Sequence, residues 1–268
     1  MTDYEFGFIG AGHMGGALAK AAVKSIDPKR VILANRTPQK ARQLAKQLGC
    51  AWGDNEDAAG ARFVMLGVKP QMMADMLAGI APVLAARSDR FVLVSMAAGL
   101  SMEKISAMAG GDYPVIRVMP NTPVEIGCGL ILMDANPLVT DEEINDFLRA
   151  MNAAGTFDLL EERLIDAGSA ISGCGPAFAY MFIEALADGG VACGLPRAKA
   201  LSYAADMLAG AAALAGNSGK HPGELKDAVC SPAGSTIAGV RALEERAFRG
   251  AVTDAVIAAF EKTKALGK

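Results

Sequence analysis

The chain has 268 residues, 52 % apolar and 21 % charged, with a formal net charge of −3. That is enough apolar material for one large or two medium cores, and it excludes a disordered chain. Without a basic excess, neither a nucleic-acid surface nor an acidic-membrane anchor is expected. The first element is an apolar run (Phe6, Phe8, Ile9) that ends in Gly10-Ala11-Gly12-His13-Met14-Gly15, followed by helical spacing at Ala17, Leu18, Ala21 and Ala22. This is strand, tight turn and helix in the GxGxxG arrangement that holds a dinucleotide. Gly10 permits the turn, Gly12 carries no Cβ to block a pyrophosphate, and Gly15 lets the helix pack closely. The helix N-terminus supplies oriented N–H groups.

Val31-Ile32-Leu33-Ala34 reads as the second strand, ending at Asn35-Arg36-Thr37-Pro38. Residues 38–48 have helical spacing and stop at Gly49. Further strands are predicted over Phe63–Val68, Phe91–Ser95 and Val115–Val118, with helices over 72–86 and 101–109 between them. Continuous apolar strands alternating with helices imply a parallel sheet covered on both faces. Gly129–Met133 and Gly155–Leu159 extend that sheet at one edge, around a helix opening at Thr140-Asp141-Glu142-Glu143.

The character changes near Leu164, which divides the chain into residues 1–162 and 163–268. From there Ala-rich helices are expected over 164–190, 196–215, 222–229, 236–246 and 248–266. Few aromatics leave these helices little bulk for a private core, so they should pack on a second copy of the chain. The longest uncharged run, Ala167–Ile183, is broken by Pro176 and several glycines. It reads as a buried helix or a subunit interface rather than a membrane span. No basic segment precedes an apolar one at the N-terminus, and the five cysteines are scattered with no CxxC, so a cytoplasmic, reducing location is expected.

Ligands bind outside the carboxyl ends of parallel strands. The irregular signals fall there: Gly10–Gly15, Asn35-Arg36, Val68-Lys69-Pro70, Ala97-Ala98-Gly99 and Met119–Pro123. A carboxylate at the end of the second strand would accept from a ribose 2′-hydroxyl and repel a 2′-phosphate. Arg36 pairs with one instead, so NADP is favoured over NAD. Lys69 reads as a surface lysine rather than a catalytic acid.

In the helical half, Ser172-Gly173-Cys174-Gly175-Pro176-Ala177 opens a long helix, and Cys230-Ser231-Pro232-Ala233-Gly234-Ser235-Thr236 runs into another. The second loop combines hydroxyls and free N–H groups as an anion-binding nest does; the alternative is plain Ser/Thr N-capping. The two histidines, His13 and His221, leave no source for a Ser-His-Asp triad or a metal site. The β-hydroxyacid dehydrogenases share this layout but use a lysine on the first long helix of the second domain. Between Arg163 and Arg197 there is no Lys, Arg or His. Reducing a carbonyl wants a strong proton donor, whereas a protonated imine already carries the positive charge. The weakly acidic hydroxyls of Ser231, Ser235 and Thr236 suit the imine.

These motifs, GFIGAGHMGGAL, LGVKPQ, VMPNTP, ISGCGPAF and above all HPGELKDAVCSPAGSTIAG, resemble the pyrroline-5-carboxylate reductase family over nearly the whole chain. The resemblance implies an N-terminal α/β Rossmann-type domain and an all-α C-terminal dimerisation domain. It implies reduction of the C=N bond of 1-pyrroline-5-carboxylate to L-proline with NADPH, or NADH, in a homodimer or an oligomer of dimers. By the same resemblance, Ile9, Gly10, Ala11, Gly12, His13 and Met14 line the pyrophosphate. Asn35, Arg36 and Asn55 meet the adenosine ribose and its phosphate, while Val68, Lys69, Pro70, Ala97, Ala98 and Gly99 border the nicotinamide half. Ser231, Gly234, Ser235 and Thr236 hold the substrate against the partner subunit's cofactor, over a floor of Gly175 and Pro176. Thr236 is the residue that the resemblance implies for orienting the ring nitrogen, and the candidate for its proton donor. Cys174 stands where the family often has serine, and Ala228 where some members have asparagine. The alternatives are a β-hydroxyacid dehydrogenase-like enzyme and a non-catalytic dinucleotide-binding sensor.

Overall fold

Runs of apolar residues with no polar side chain to turn toward water make strands that are buried on both faces. In the computed structural model, which describes residues 4–266, these runs form β1 (Phe6–Ile9), β2 (Val31–Ala34), β4 (Phe63–Leu66), β5 (Val92–Ser95) and β6 (Val115–Met119). With β3 (Ala51–Gly53), β7 (Gly129–Ala135) and β8 (Gly155–Leu159) they make one sheet in the order β3-β2-β1-β4-β5-β6-β7-β8. β1 to β6 are parallel, β7 is antiparallel to β6, and β8 is parallel to β7. The chain therefore winds outward in one direction from β1 and in the other from β4. Their exits diverge and leave a crevice between them.

Helices α1 (His13–Ser25), α2 (Pro38–Leu48), α3 (Asn55–Ala59), α4 (Met73–Ala86), α5 (Met102–Ala109) and α6 (Asp141–Ala150) connect the strands. Alternate strand residues feed two cores. Phe6, Phe8, Phe63 and Met65 face α1 and α6, where the Phe6 and Phe63 rings stack at 5.3 Å and Phe147 of α6 joins them. Ile9, Ile32, Val64 and Leu66 face the other way, onto Leu77 and Ile80 of α4 and Ile105 of α5.

Two features depart from expectation. β3 and α3 were not anticipated, since three residues at a sheet edge with an exposed Trp52 give no periodicity to read. The helix expected over 164–190 is two helices, α7 (Glu162–Ser172) and α8 (Gly175–Ala192), parted by a turn at Gly173-Cys174.

Residues through Cys174, together with the last turns of the chain from Ala259, form one compact unit, and Gly175–Ala258 forms another. The second contains α8, α9 (Arg197–Asn217), α10 (Pro222–Ala228), α11 (Ser235–Glu245) and most of α12 (Phe248–Leu266). Inside it α8 packs on α9 through small residues, with a Cβ at Gly190 only 3.2 Å from that of Ala200. Phe182 meets Phe248 at 5.8 Å between ring centres. The helices are not buried in the single chain: Tyr180 is 58 % and Met181 69 % exposed, and Tyr203, Met207 and Leu214 are exposed as well. By length and composition the stretch Glu162–Ala192, with mean hydropathy 1.3, reaches the range of a membrane span.

α6 is fastened by one carboxylate. Thr140 Oγ1 accepts from Glu143 N at 3.2 Å, and Thr140 N donates to Glu143 Oε2 at 2.8 Å, a reciprocal N-terminal cap. Arg90 grips the same carboxylate with Nε at 2.7 Å and Nη2 at 2.9 Å. Burial alone would push the Glu143 carboxyl up, but the Arg90 fork and Thr140 together hold it below its usual range. Its contribution is therefore present above the unfolded carboxyl's pKa and is lost as pH falls through the lower folded value. Glu143→Gln should cost about 1–3 kcal/mol in urea unfolding at neutral pH. The gap from wild type should close on acidification below about pH 4.

Candidate functional site

The crevice is shaped by backbone lying against backbone. Gly10 leaves β1 with φ +98°, and its N–H and that of Ala11 donate to the Ala34 carbonyl at 2.9 and 3.1 Å. A Cβ on Gly10 would sit 2.7 Å from the Gly67 carbonyl carbon, and one on Gly15 would strike the Gly10 carbonyl oxygen. At Gly12, by contrast, a Cβ would meet nothing within 4 Å, so the space above the loop is open. Gly12 is also the N-cap of α1 and offers no side chain to its first N–H groups. An open surface over uncapped, parallel N–H donors is what a pyrophosphate requires, so the residues present fit a dinucleotide.

A cleft of about 470 Å³ runs from this loop. Its walls are Ile9, Gly10 and Gly12 from the first turn, Asn35, Arg36, Thr37 and Lys40 from the exit of β2, and Asn55 from α3. Gly67, Val68, Lys69, Met72, Asp75 and Met76 close it from the exit of β4. An adjoining groove of about 690 Å³ shares Asn35, Arg36 and Asn55 and continues to Pro38 and Trp52, whose ring lies 5.7 Å beneath the Arg42 guanidinium. Two of the carboxylates at this end cap α3: Asp54 Oδ1 accepts from Asp57 N at 2.8 Å, and Asp57 Oδ2 from Asp54 N at 3.1 Å, while Glu56 lines the same groove. Among the described residues neither Arg36 nor Lys40 enters an ion pair. A larger groove of about 700 Å³, between α5 and the end of β7, is remote in the sheet order from these strand exits and holds none of the expected residues.

The other expected residues fall out as follows. Ala11, His13 and Met14 belong to the first loop and helix turn. Pro70 starts a 3-10 turn, Pro70–Met72, beyond Lys69. Ala97 is buried, with its N–H 3.3 Å from Ser95 Oγ, and Ala98 packs on Met119, Leu132 and Ile165. Gly99 turns the chain with φ +74°. None of these seven residues is among those that line the cleft. At the exit of β6 the buried Asn121 donates to the Ser172 carbonyl at 3.0 Å and accepts from Leu130 N at 3.0 Å, which ties the end of α7 to the sheet. Lys40 was missed from the sequence, although one helical turn after Arg36 was a legible signal.

In the second unit, Gly234 N donates to the Ser231 carbonyl at 3.0 Å. Pro232 and Ala233 are the corners of the turn so closed, and Ala233 holds φ +57° where a type II turn asks for glycine. A Cβ at Gly234 would strike Ser231 Oγ. α11 then starts at Ser235 with Gly234 as N-cap and no side-chain cap. The capping alternative thus fails: the hydroxyls of Ser231, Ser235 and Thr236 are exposed, and none caps the helix. Gly175 and Pro176 form the first turn of α8. His221 caps α10, its Nδ1 accepting from Gly223 N at 3.1 Å.

Two family models match the chain. Residues 162–266 match the family model described as pyrroline-5-carboxylate reductase dimerisation, and residues 5–99 the one described as NADP oxidoreductase coenzyme F420-dependent. The chain is 41 % identical to the pyrroline-5-carboxylate reductase of Pisum sativum, over 98 % of this chain and 96 % of that protein. It is 38 % identical to the enzyme of that name from Escherichia coli strain K12, over 99 % of both. A crystal structure of Plasmodium falciparum pyrroline carboxylate reductase with NADP bound superposes with a TM-score of 0.89, at 31 % identity and 100 % coverage of each chain.

The left-handed alanine gives a direct test of the turn. Ala233→Gly should stabilise the protein by about 0.5–1 kcal/mol, since relief of the strain exceeds the extra backbone entropy glycine brings to the unfolded chain. Chemical unfolding of the two forms side by side measures the difference.

Proposed function

The chain belongs to the pyrroline-5-carboxylate reductase family, NAD(P)H-dependent oxidoreductases of a C=N bond, and from that premise we propose how its own residues carry the reduction of 1-pyrroline-5-carboxylate to L-proline. NADPH supplies the hydride from its nicotinamide ring when bound. Residues 1–162 act as the dinucleotide domain and 163–268 as the dimerisation and substrate domain. Ile9 to Met14 seat the pyrophosphate on the N–H groups of α1, and Asn55 meets the adenosine ribose. Arg36, joined by Lys40, holds the 2′-phosphate; two unpaired cations on one wall of the cleft support that assignment. Val68, Lys69 and Pro70 border the nicotinamide half, with Ala97, Ala98 and Gly99 behind.

The observation that carries the substrate assignment is the uncapped start of α11. Ser235 and Thr236 hold two hydroxyls at the positive end of an 11-residue helix, and Ser231 adds a third just before it. A substrate carboxylate is the anion these donors suit, and Gly175 and Pro176 give its ring a floor without side-chain bulk. Thr236 orients the ring nitrogen. A protonated imine accepts hydride without a strong acid, so the hydroxyls need only hold and align it. The loop 231–236 serves the cofactor bound by a second copy of the chain.

That second copy covers the apolar faces of α8, α9 and α12, including the stretch that has the hydropathy of a membrane span. A homodimer in the cytoplasm, itself able to assemble further, accounts for these faces without lipid.

Thr236→Ala should lower kcat at least about tenfold, the worth of one aligned hydrogen bond to a charged group, while the Kd for NADPH stays within about twofold of wild type. Unchanged turnover would remove Thr236 from the reaction and favour a binding protein without catalysis. Arg36→Ala should raise KM for NADPH about tenfold or more and leave KM for NADH nearly unchanged. An equal effect on both cofactors, in parallel steady-state assays, would take Arg36 out of phosphate recognition.

A further inference from the structure

Four charged side chains line the cleft that runs from the first glycine loop: Arg36, Lys40, Lys69 and, on α4, Asp75. The three cations suit a ligand that carries a pyrophosphate and a 2′-phosphate. The carboxylate does not, because within one cleft it opposes every phosphate bound there. Its place is accounted for only by a hydrogen-bond donor on the same ligand.

The protein makes no other use of Asp75. It is the third residue of α4, from which a carboxylate can reach back to the N–H of the N-cap residue, Met72. That N–H already donates to the Lys69 carbonyl at 2.9 Å. Among the described residues Asp75 enters no ion pair and its side chain no hydrogen bond. The helix dipole gives an acid a general reason to stand in a first turn, but it does not explain the surface around this one. Met72 and Met76 line the cleft with Asp75, and one turn on Gly79 and Ile80 line the adjoining groove beside Asn35, Arg36 and Asn55. The spacing of three or four residues puts these positions on one face of α4 and its entry. Met76 is buried, Met72 half-buried, and a Cβ at Gly79 would meet nothing within 4 Å. The face is therefore apolar and open, with one acceptor on it.

Such a face, at the Arg36 end of the cleft, is complementary to a flat ring that bears an amino group, and thioethers pack well on aromatic rings. Other donors of NADPH are placed elsewhere. The adenosine ribose carries the 2′-phosphate, which a carboxylate repels, and the carboxamide belongs to the nicotinamide end. We propose that Asp75 is a specificity-determining residue for the cofactor: its carboxylate accepts from the exocyclic amine of adenine, while Met72 and Met76 carry the ring. The proposal rests on the assignment of this cleft to the dinucleotide. A purine with a carbonyl in place of that amine sets an acceptor against the carboxylate and is disfavoured.

The test compares NADPH with its hypoxanthine analogue, which makes that one replacement, by fluorescence titration of the full chain. Wild type should bind NADPH about three- to tenfold more tightly than the analogue. Asp75→Asn supplies an amide that can donate to the carbonyl as well as accept from the amine, and should bring the two Kd values within about twofold. Asp75→Ala should also level them, by removing the acceptor. Asp75 is exposed, so neither substitution threatens the fold, and melting curves check this. The ratio of the two Kd values is the readout, since a merely structural role would shift both together. A wild type that binds the two equally, or an Asp75→Asn protein that keeps the wild-type ratio, overturns the proposal and leaves the cofactor site standing. Failure of the wild type to bind NADPH at all overturns both.

Discussion

The close approach of three main-chain segments, the exits of β1 and β4 and the start of α1, is the constraint from which the rest of the molecule follows. Gly10, Gly15 and Gly67 touch where no Cβ fits: Gly67 lies against the Gly10 carbonyl, as Gly15 does from the helix side. Gly7 is held in the same way, against the Ala58 carbonyl one strand length back. With no side chains between them, β1 and β4 can be neighbours while the chain winds away from them in opposite directions. The crevice, its strand order and its open helix end are one steric fact seen three ways.

Charge is distributed unevenly along the sheet. At the amino ends of the strands charges meet in a network: Glu5 receives Arg30 at 2.5 Å and Arg62 at 3.0 Å, and Asp146 receives Arg62 and Arg149. Arg117, buried at 3 % exposure, reaches Asp166 at 2.5 Å and so fixes α7 to β6. At the carboxyl ends, among the described residues, Arg36 and Lys40 enter no ion pair and Glu125 lies within ion-pair distance of the exposed His13 imidazole alone. Paired charges lock elements together, while unpaired ones remain available to a ligand. The hydroxyls of the second unit follow the same logic, since they are not spent on capping α11.

The sequence was most informative where one residue type had one physical use. Gly49 ends α2 in the left-handed conformation with φ +71°, and Thr140 caps α6 with Glu143, as their positions suggest. The double-faced strands could be read because neither face meets water. It was least informative where pairing, not composition, decides. Gly129–Ala135 has an apolar pattern compatible with either direction, and only its short connection to β6 makes the pair antiparallel. β3 is too short for any period. The break at Gly173-Cys174 was masked by apolar residues on both sides. Within the candidate site, the glycine loop and Arg36 were legible from local chemistry. The His13–Glu125 contact joins residues 112 positions apart, by subtraction of their numbers, and no local pattern announces it.

The protein's single tryptophan is Trp52, half exposed in the groove beyond Arg36. Its indole emission overlaps the near-ultraviolet absorption band of a reduced nicotinamide, so a bound coenzyme quenches it by energy transfer. With no competing indole elsewhere in the subunit, the quench can be read as occupancy of one crevice. The chain thus carries its own optical gauge of coenzyme loading, without a label and without turnover.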